Sequence, residues 1–211
     1  MRLVVREGAT AECASRYDAP RGSPVDVWVL SPSELEQAGA IGSPTEWDRY
    51  SYVHADVVLD RLDGRIAELV AEKRVLPAEA ARRIAERALD AYVNSYYRSA
   101  KNQRDGLGIA AHLDAAESIS PFLTALFAIH ERVRPFNKFL RWELESFPLE
   151  GERWSAARLL PRLRAIAATG DHGEQQSLFR DAEQLARERG LGPVLDGWEP
   201  DLARLRGEAG T

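Results

Sequence analysis

The most restrictive feature of this chain is a helical repeat of apolar residues that runs unbroken from Pro77 to about Asn102. Ile84, Ala88, Ala91, Val93 and Tyr96 recur at helical intervals, and Gly106 and Gly108 then break the pattern. A segment of roughly 26 residues makes a helix about 39 Å long at 1.5 Å per residue. The remainder of the chain reads as helical too. A second helix is expected from about Ile109 to Ser118, with Pro121 restarting or kinking it ahead of the apolar face of Phe122, Leu123, Leu126, Phe127 and Ile129. Further helices are expected over Asn137 to Glu145, Glu152 to Thr169 and Glu174 to Gly190, with a last turn near Pro200 to Leu205.

The front of the chain reads differently. Arg2 to Arg6 and Val25 to Leu30 are short β-branched runs expected as strands, and Val57-Val58-Leu59 is expected as a third, ending at Asp60. Glu7 to Pro24 is polar and punctuated by Gly8, Pro20, Gly22 and Pro24, so it is expected mostly as connection. Ser31-Pro32-Ser33-Glu34 has the form of a capping box with proline at the first helical position, and that helix ends at Gly39. Ser43 to Trp47 offers another helix start, and Asp63-Gly64 turns into a helix from Arg65 to about Arg74. The fold class that results is α+β and mostly helical. A small β-containing front, residues 1–76, precedes a helical bundle, residues 77–211.

With 211 residues, 45% hydrophobic and 29% charged, the chain can bury a core without disulfide staples. A net charge of −5 argues against a nucleic-acid partner, which would favour a basic excess, and points to a small substrate. Cys13 is the only cysteine, so neither a disulfide framework nor a thiolate metal cluster can form within one chain. No apolar run is long enough to span a bilayer, and a cytoplasmic location is expected. His54, His112, His130 and His172 are too scattered for a metal-ligand spacing. The five tryptophans are expected in the core or at interfaces.

The chemistry concentrates where the long helix closes. Arg98, Lys101 and Asp105 are three and four apart and share a face, and Asn94, Tyr97, Lys101 and Arg104 form an overlapping stripe. Such a face can bind a polyphosphate: arginine supplies a fork of donors, lysine a compact charge, and tyrosine a ring on which a base stacks. The same cations also fit a solvated helix end that complements its dipole. Asp114 and Glu117, three apart on the next helix, are placed across a tight hairpin where they could orient Arg98 or Lys101. Ordinary inter-helix salt bridging reads equally well from that spacing.

Three stretches together, Tyr96 to Gly106, His112 to Ser118 and Arg132 to Leu140, resemble the helical domain of bacterial nucleotidyltransferase-domain proteins. These belong to the polymerase-beta-like superfamily that includes the kanamycin and streptomycin nucleotidyltransferases. The resemblance runs from about residue 25 to about 147 and is weak over the last 60 residues. It implies that nucleoside monophosphate is transferred from ATP or another NTP to a small-molecule hydroxyl, with Mg²⁺. The nucleotide lies between an α/β domain and a helical bundle. Tyr97, Arg98, Lys101 and Arg104 would then face the nucleotide, and Arg134, Asn137 and Lys138 would form a second polar cluster lining the cleft.

The family's Gly-Ser turn and paired Asp-x-Asp do not appear. Gly22-Ser23 is followed by the single Asp26, and Gly42-Ser43 by Glu46 and Asp48, which as helix residues two apart do not share a face. In the family the motif precedes an apolar strand like Leu3-Val4-Val5, so it is expected upstream of Met1. Asp26, within Val-Asp-Val-Trp-Val, matches the third carboxylate and is the one candidate catalytic and metal-binding residue; an edge-strand acid facing water fits as well. The expectation is a nucleotidyltransferase-family protein of little or no activity. The alternative is a non-catalytic nucleotide- or partner-binding helical protein. A sheet edge left open would invite a homodimer.

Overall fold

The β-branched runs at the front pair with each other. In the computed structural model, which describes residues 1–17 and 25–208, strand β1 (Arg2–Val4) lies parallel to strand β2 (Trp28–Leu30), with Leu3 opposite Val29. The chain divides into two compact units, Met1–Val75 and Leu76–Thr211. The first contains the sheet and the second is helical, so the protein is α+β and mostly helical.

Between the strands, Thr10–Arg16 forms helix α1, where composition predicts a connection. Its alternation of small and polar residues carries no apolar stripe, and none of its residues is buried, which is why periodicity does not reveal it. The expected connection at Pro20, Gly22 and Pro24, and the Gly22-Ser23 pair, lie outside the described residues. Helix α2 (Pro32–Gln37) starts with the anticipated capping box: the Ser31 hydroxyl accepts from the Glu34 N–H at 3.1 Å, and the Ser31 N–H donates to the Glu34 carboxylate at 2.7 Å.

Gly39 comes next with φ +69°, and a Cβ there would come within 2.9 Å of the Arg49 Cα. That close approach seats a 3₁₀ stretch, Glu46–Tyr52, against the rest of the unit. Helix α3 (Arg65–Arg74) begins at Gly64, as expected. Leu35, Tyr52, Leu69 and Val70 form the core of this unit, with Val4, Leu30, Val57 and Ile66 packed around them.

Two cations are buried here, and both serve helix ends. Arg49 donates to the carbonyls of Gly39, Glu72 and Val75, and Lys73 donates to that of Glu36 at 2.8 Å. They satisfy C-terminal carbonyls of α2 and α3 that would otherwise be orphaned. Burial pushes the pKa of both below the ordinary value.

The third strand expected at Val57-Val58-Leu59 does not form. Val58 is 95% exposed and only Val57 reaches the core. The Asp60 carboxylate accepts from the N–H groups of Leu62 and Ala67, which commits the segment to a turn that leads into α3.

In the second unit, helix α4 (Ala78–Arg104) carries the long repeat and packs along helix α5 (Gly108–Ile129). Gly106, at φ +74°, turns the chain between them. Helix α5 is one continuous helix, not the two segments expected around Pro121. Proline removes the single N–H that would bond the Glu117 carbonyl, and the buried face of Phe122, Leu123, Leu126 and Phe127 outweighs that loss. Helix α6 (Leu140–Ser146), α7 (Ala156–Thr169) and α8 (His172–Glu188) come after it, then the short α9 (Gly192–Asp196), which the pattern does not predict, and α10 (Asp201–Arg206).

The core is aromatic. Tyr92 meets Phe122, Tyr96 meets Phe179, and Phe122 meets Trp154, with ring centroids 5.3 to 6.1 Å apart. Of the five tryptophans only Trp154 is fully buried; Trp28, Trp47 and Trp142 are exposed and stand outside the core. Among the described residues, no helix is long and apolar enough to cross a membrane.

Candidate functional site

The hairpin of α4 and α5 determines where the cations stand. Arg98, one turn before the exposed Lys101, reaches across to α5 and is held by both acids singled out there. Its Nη2 lies 2.8 Å from the Asp114 carboxylate and 2.5 Å from that of Glu117. Asp114 also accepts from the Asn102 amide at 2.7 Å, so this one carboxylate, with its side chain 16% exposed, fixes two side chains of α4. Glu117 is 63% exposed and acts from the rim.

Arg104 closes the helix and pairs with its neighbour Asp105 at 2.7 Å. That hydrogen bond holds the Asp105 carboxyl below its ordinary pKa, with Lys101 and Arg204 contributing charge. Tyr97 packs its ring against Trp198 at 5.9 Å, and Trp198 is in turn held by a hydrogen bond to Asp90. One flank of the tyrosine is thus already covered, which restricts base stacking to its other flank.

The second cluster lies on the same face of α5. Arg134 donates through Nη1 to the hydroxyls of Ser120 and Thr124, at 2.8 and 3.4 Å, and through Nη2 to the Asn137 carbonyl oxygen at 2.9 Å. Glu117, Ser120 and Thr124 are three and four apart, so they share a stripe on which Ser120 stands about 4.5 Å further along the helix than Glu117. The structure therefore brings Arg98 and Arg134 onto consecutive turns of one helix face.

Arg134 is partly buried, and desolvation lowers its pKa, with no carboxylate acting to raise it. Its loop is anchored by Arg132, which pairs with the buried Glu143, donates to the Phe147 carbonyl and lies over the Phe127 ring. Lys138 is exposed, with its ammonium 4.8 Å from the Phe139 ring centroid.

Asp26 belongs to the first unit and is exposed, and its backbone carbonyl accepts from the Met1 amine at 2.6 Å. Among the described residues, no three His, Cys, Asp or Glu side chains gather in a way that could hold a metal ion. Mg²⁺ is commonly held by one or two carboxylates together with substrate phosphates, and Asp26 is the one candidate carboxylate for it.

His112 bonds the Ala167 carbonyl, His130 that of Leu126, and His172 the Gln176 amide, while His54 meets the Tyr50 ring edge-on. A cavity of about 10 Å³, lined by Leu89, Tyr92, Phe122 and Leu126 among others, is apolar and far smaller than a ligand pocket.

Sequence reasoning misses Ser120 and Thr124, which hold Arg134, and Asn102, which shares the Asp114 carboxylate with Arg98. The three-and-four spacing of Ser120 and Thr124 after Glu117 is the available signal. Trp198, which covers Tyr97, lies 101 positions further along the chain and gives none. Comparison with protein-family models, with curated proteins and with solved structures finds no match.

Proposed function

We propose that this chain is a polymerase-beta-like nucleotidyltransferase-family protein that binds a nucleoside triphosphate through the end of α4 and the facing stripe of α5. The reading rests on the resemblance over 25–147. The single observation that supports it best is the Arg98 clamp: Asp114 and Glu117 fix the guanidinium from across the hairpin and leave Lys101 exposed one turn away. Arg98, Lys101 and Arg104 form the phosphate side, Tyr97 flanks the base, and Arg134, Asn137 and Lys138 form the second polar cluster.

In the reaction of this class, an acceptor hydroxyl attacks the α-phosphorus. The bond to the β-phosphate bridging oxygen breaks, pyrophosphate leaves, and the hydroxyl gives up its proton. Cations on the phosphate side stabilise the charge that moves onto pyrophosphate. Activating the hydroxyl would be the task of metal-held carboxylates, for which Asp26 is the one candidate. The reading is therefore of nucleotide binding with little or no turnover. A non-catalytic nucleotide- or partner-binding role is the second reading, and the pairing of Arg98 and Arg104 with carboxylates accords with it. A cytoplasmic setting accords with the single cysteine.

Isothermal titration with ATP, with and without Mg²⁺, tests the reading. Binding is expected in both, and Lys101→Ala is expected to weaken it about tenfold, the cost of one charge-assisted contact. No heat with any nucleotide, or unchanged affinity in the variant, refutes it.

A further inference from the structure

The surroundings of Arg134 have an unusual hydrogen-bond arithmetic. A guanidinium offers five N–H donors and accepts nothing. Three are used on neutral oxygens, those of Ser120, Thr124 and Asn137. A fourth, on Nε, is buried without a partner, and one hydrogen of Nη2 is left over. No carboxylate pairs with this cation among the described residues, whereas Arg98 has two and Arg104 and Arg132 one each.

The partners of Arg134 are also oriented by it. Because a guanidinium can only donate, Ser120 and Asn137 must turn acceptor oxygens toward it. That leaves the Ser120 O–H and the Asn137 NH₂ free to donate elsewhere, while the Thr124 hydroxyl is spent on the Ser120 carbonyl at 3.0 Å. What remains is the Nη2 hydrogen, a serine hydroxyl and a side-chain amide, with the exposed Lys138 ammonium next in sequence. Each of these groups has a hydrogen to donate, and the only acceptors beside them are the remaining lone pairs of the Ser120 and Asn137 oxygens.

An oxyanion accepts from all of them, and most strongly from the two cations. Arg134 is also held in place. Val133 and Pro135 on either side of it are buried, and Arg132 ties the loop to Glu143 and Phe147.

We propose that Arg134, Ser120, Asn137 and Lys138 form a binding site for a single tetrahedral oxyanion, a phosphate group. The inference deepens the nucleotide reading of this second cluster and rests on it only for what carries the phosphate. The phosphate belongs either to the nucleotide itself or to a separate anionic molecule such as a phosphorylated acceptor. In neither case does this end of the α5 stripe suit a polycationic acceptor, because Arg134 has no counter-charge to offer it.

The test is titration with inorganic phosphate at constant ionic strength, followed by ³¹P line broadening, on the full chain and on Arg134→Gln, Ser120→Ala and Lys138→Ala. Wild type binds phosphate, and Arg134→Gln weakens binding about tenfold or more, the loss of one charge-assisted hydrogen bond. Lys138→Ala, an exposed change that leaves the fold intact by circular dichroism, weakens it in the same direction. Phosphate that fails to bind wild type, or binds wild type, Arg134→Gln and Lys138→Ala alike, overturns the proposal.

Saturating ATP separates the two sources. Competition identifies the nucleotide's own phosphate, and phosphate binding on top of ATP identifies a separate anionic molecule; both uphold the site. Phosphate binding lost in Arg134→Gln, in a protein that takes no ATP, keeps this site and removes the nucleotide reading. ATP binding with no phosphate site does the reverse.

Discussion

Asp114 is the acid on which the α4–α5 clamp turns, and replacing it separates positioning from simple surface pairing. Asp114→Ala removes two acceptor interactions, one from Arg98 at 2.8 Å and one from the Asn102 amide at 2.7 Å. The Arg98 side chain is 45% exposed and keeps Glu117, so its loss is worth only about 0.5 kcal/mol. The Asn102 contact involves a half-buried amide and a carboxylate, for which about 1.5 kcal/mol is appropriate. Alanine returns about 0.6 kcal/mol as the better helix former, leaving a net loss of about 1.4 kcal/mol. A urea titration followed by far-ultraviolet circular dichroism would move its midpoint down by roughly 0.7 M for a slope of about 2 kcal/mol per molar. Glu117→Ala is the internal control: its side chain is 63% exposed and makes the same arginine contact, so its net effect is about zero. If Asp114→Ala unfolds with the wild-type midpoint, or Glu117→Ala loses as much, then the buried acid is not what fixes Arg98 and Asn102.

Glu183 and Ser31 offer two independent checks, one in each unit. Glu183 is buried and accepts from Arg206 and Arg187, and the Arg206 hydrogen bonds foremost hold its carboxyl below the ordinary 4.5. A carboxylate lowered in this way stabilises the fold above its unfolded pKa and stops doing so as pH falls through the folded one. Glu183→Gln should therefore cost about 2 kcal/mol at pH 7, and the gap to wild type should close below pH 4.5; a gap independent of pH contradicts the assignment. In the first unit, Ser31→Ala removes half of the capping box and should cost about 1 kcal/mol, read as faster amide exchange at the start of α2 with α7 and α8 unchanged.

How much of the fold is legible in sequence depends on the range over which each feature is determined. The capping box at Ser31, the turn at Gly64 and the repeat in α4 are set within a few residues, and each forms where its pattern falls. Pro121 misleads because a local rule takes no account of the aromatic face that comes after it. Val57 to Leu59 has strand composition, but a strand needs a partner, and the Asp60 turn commits the backbone elsewhere. Arg49 and Lys73 look like surface cations in sequence; only the folded chain brings helix-end carbonyls to them.

At the candidate site, residue identity and residue role separate in the same way. The stripe on α4 is readable as cationic, but its charge is largely answered by neighbours: Asp114 and Glu117 take Arg98, and Asp105 takes Arg104. A cation so paired is positioned at the expense of its reach, because a phosphate must compete with carboxylates already in place. Arg134, which in sequence looks like one of several loop residues, is instead met only by hydroxyls and an amide. On the proposed reading, an anion arriving at this face of α5 gains most at Arg134, while Arg98 supplies a fixed flank and Lys101 an exposed one.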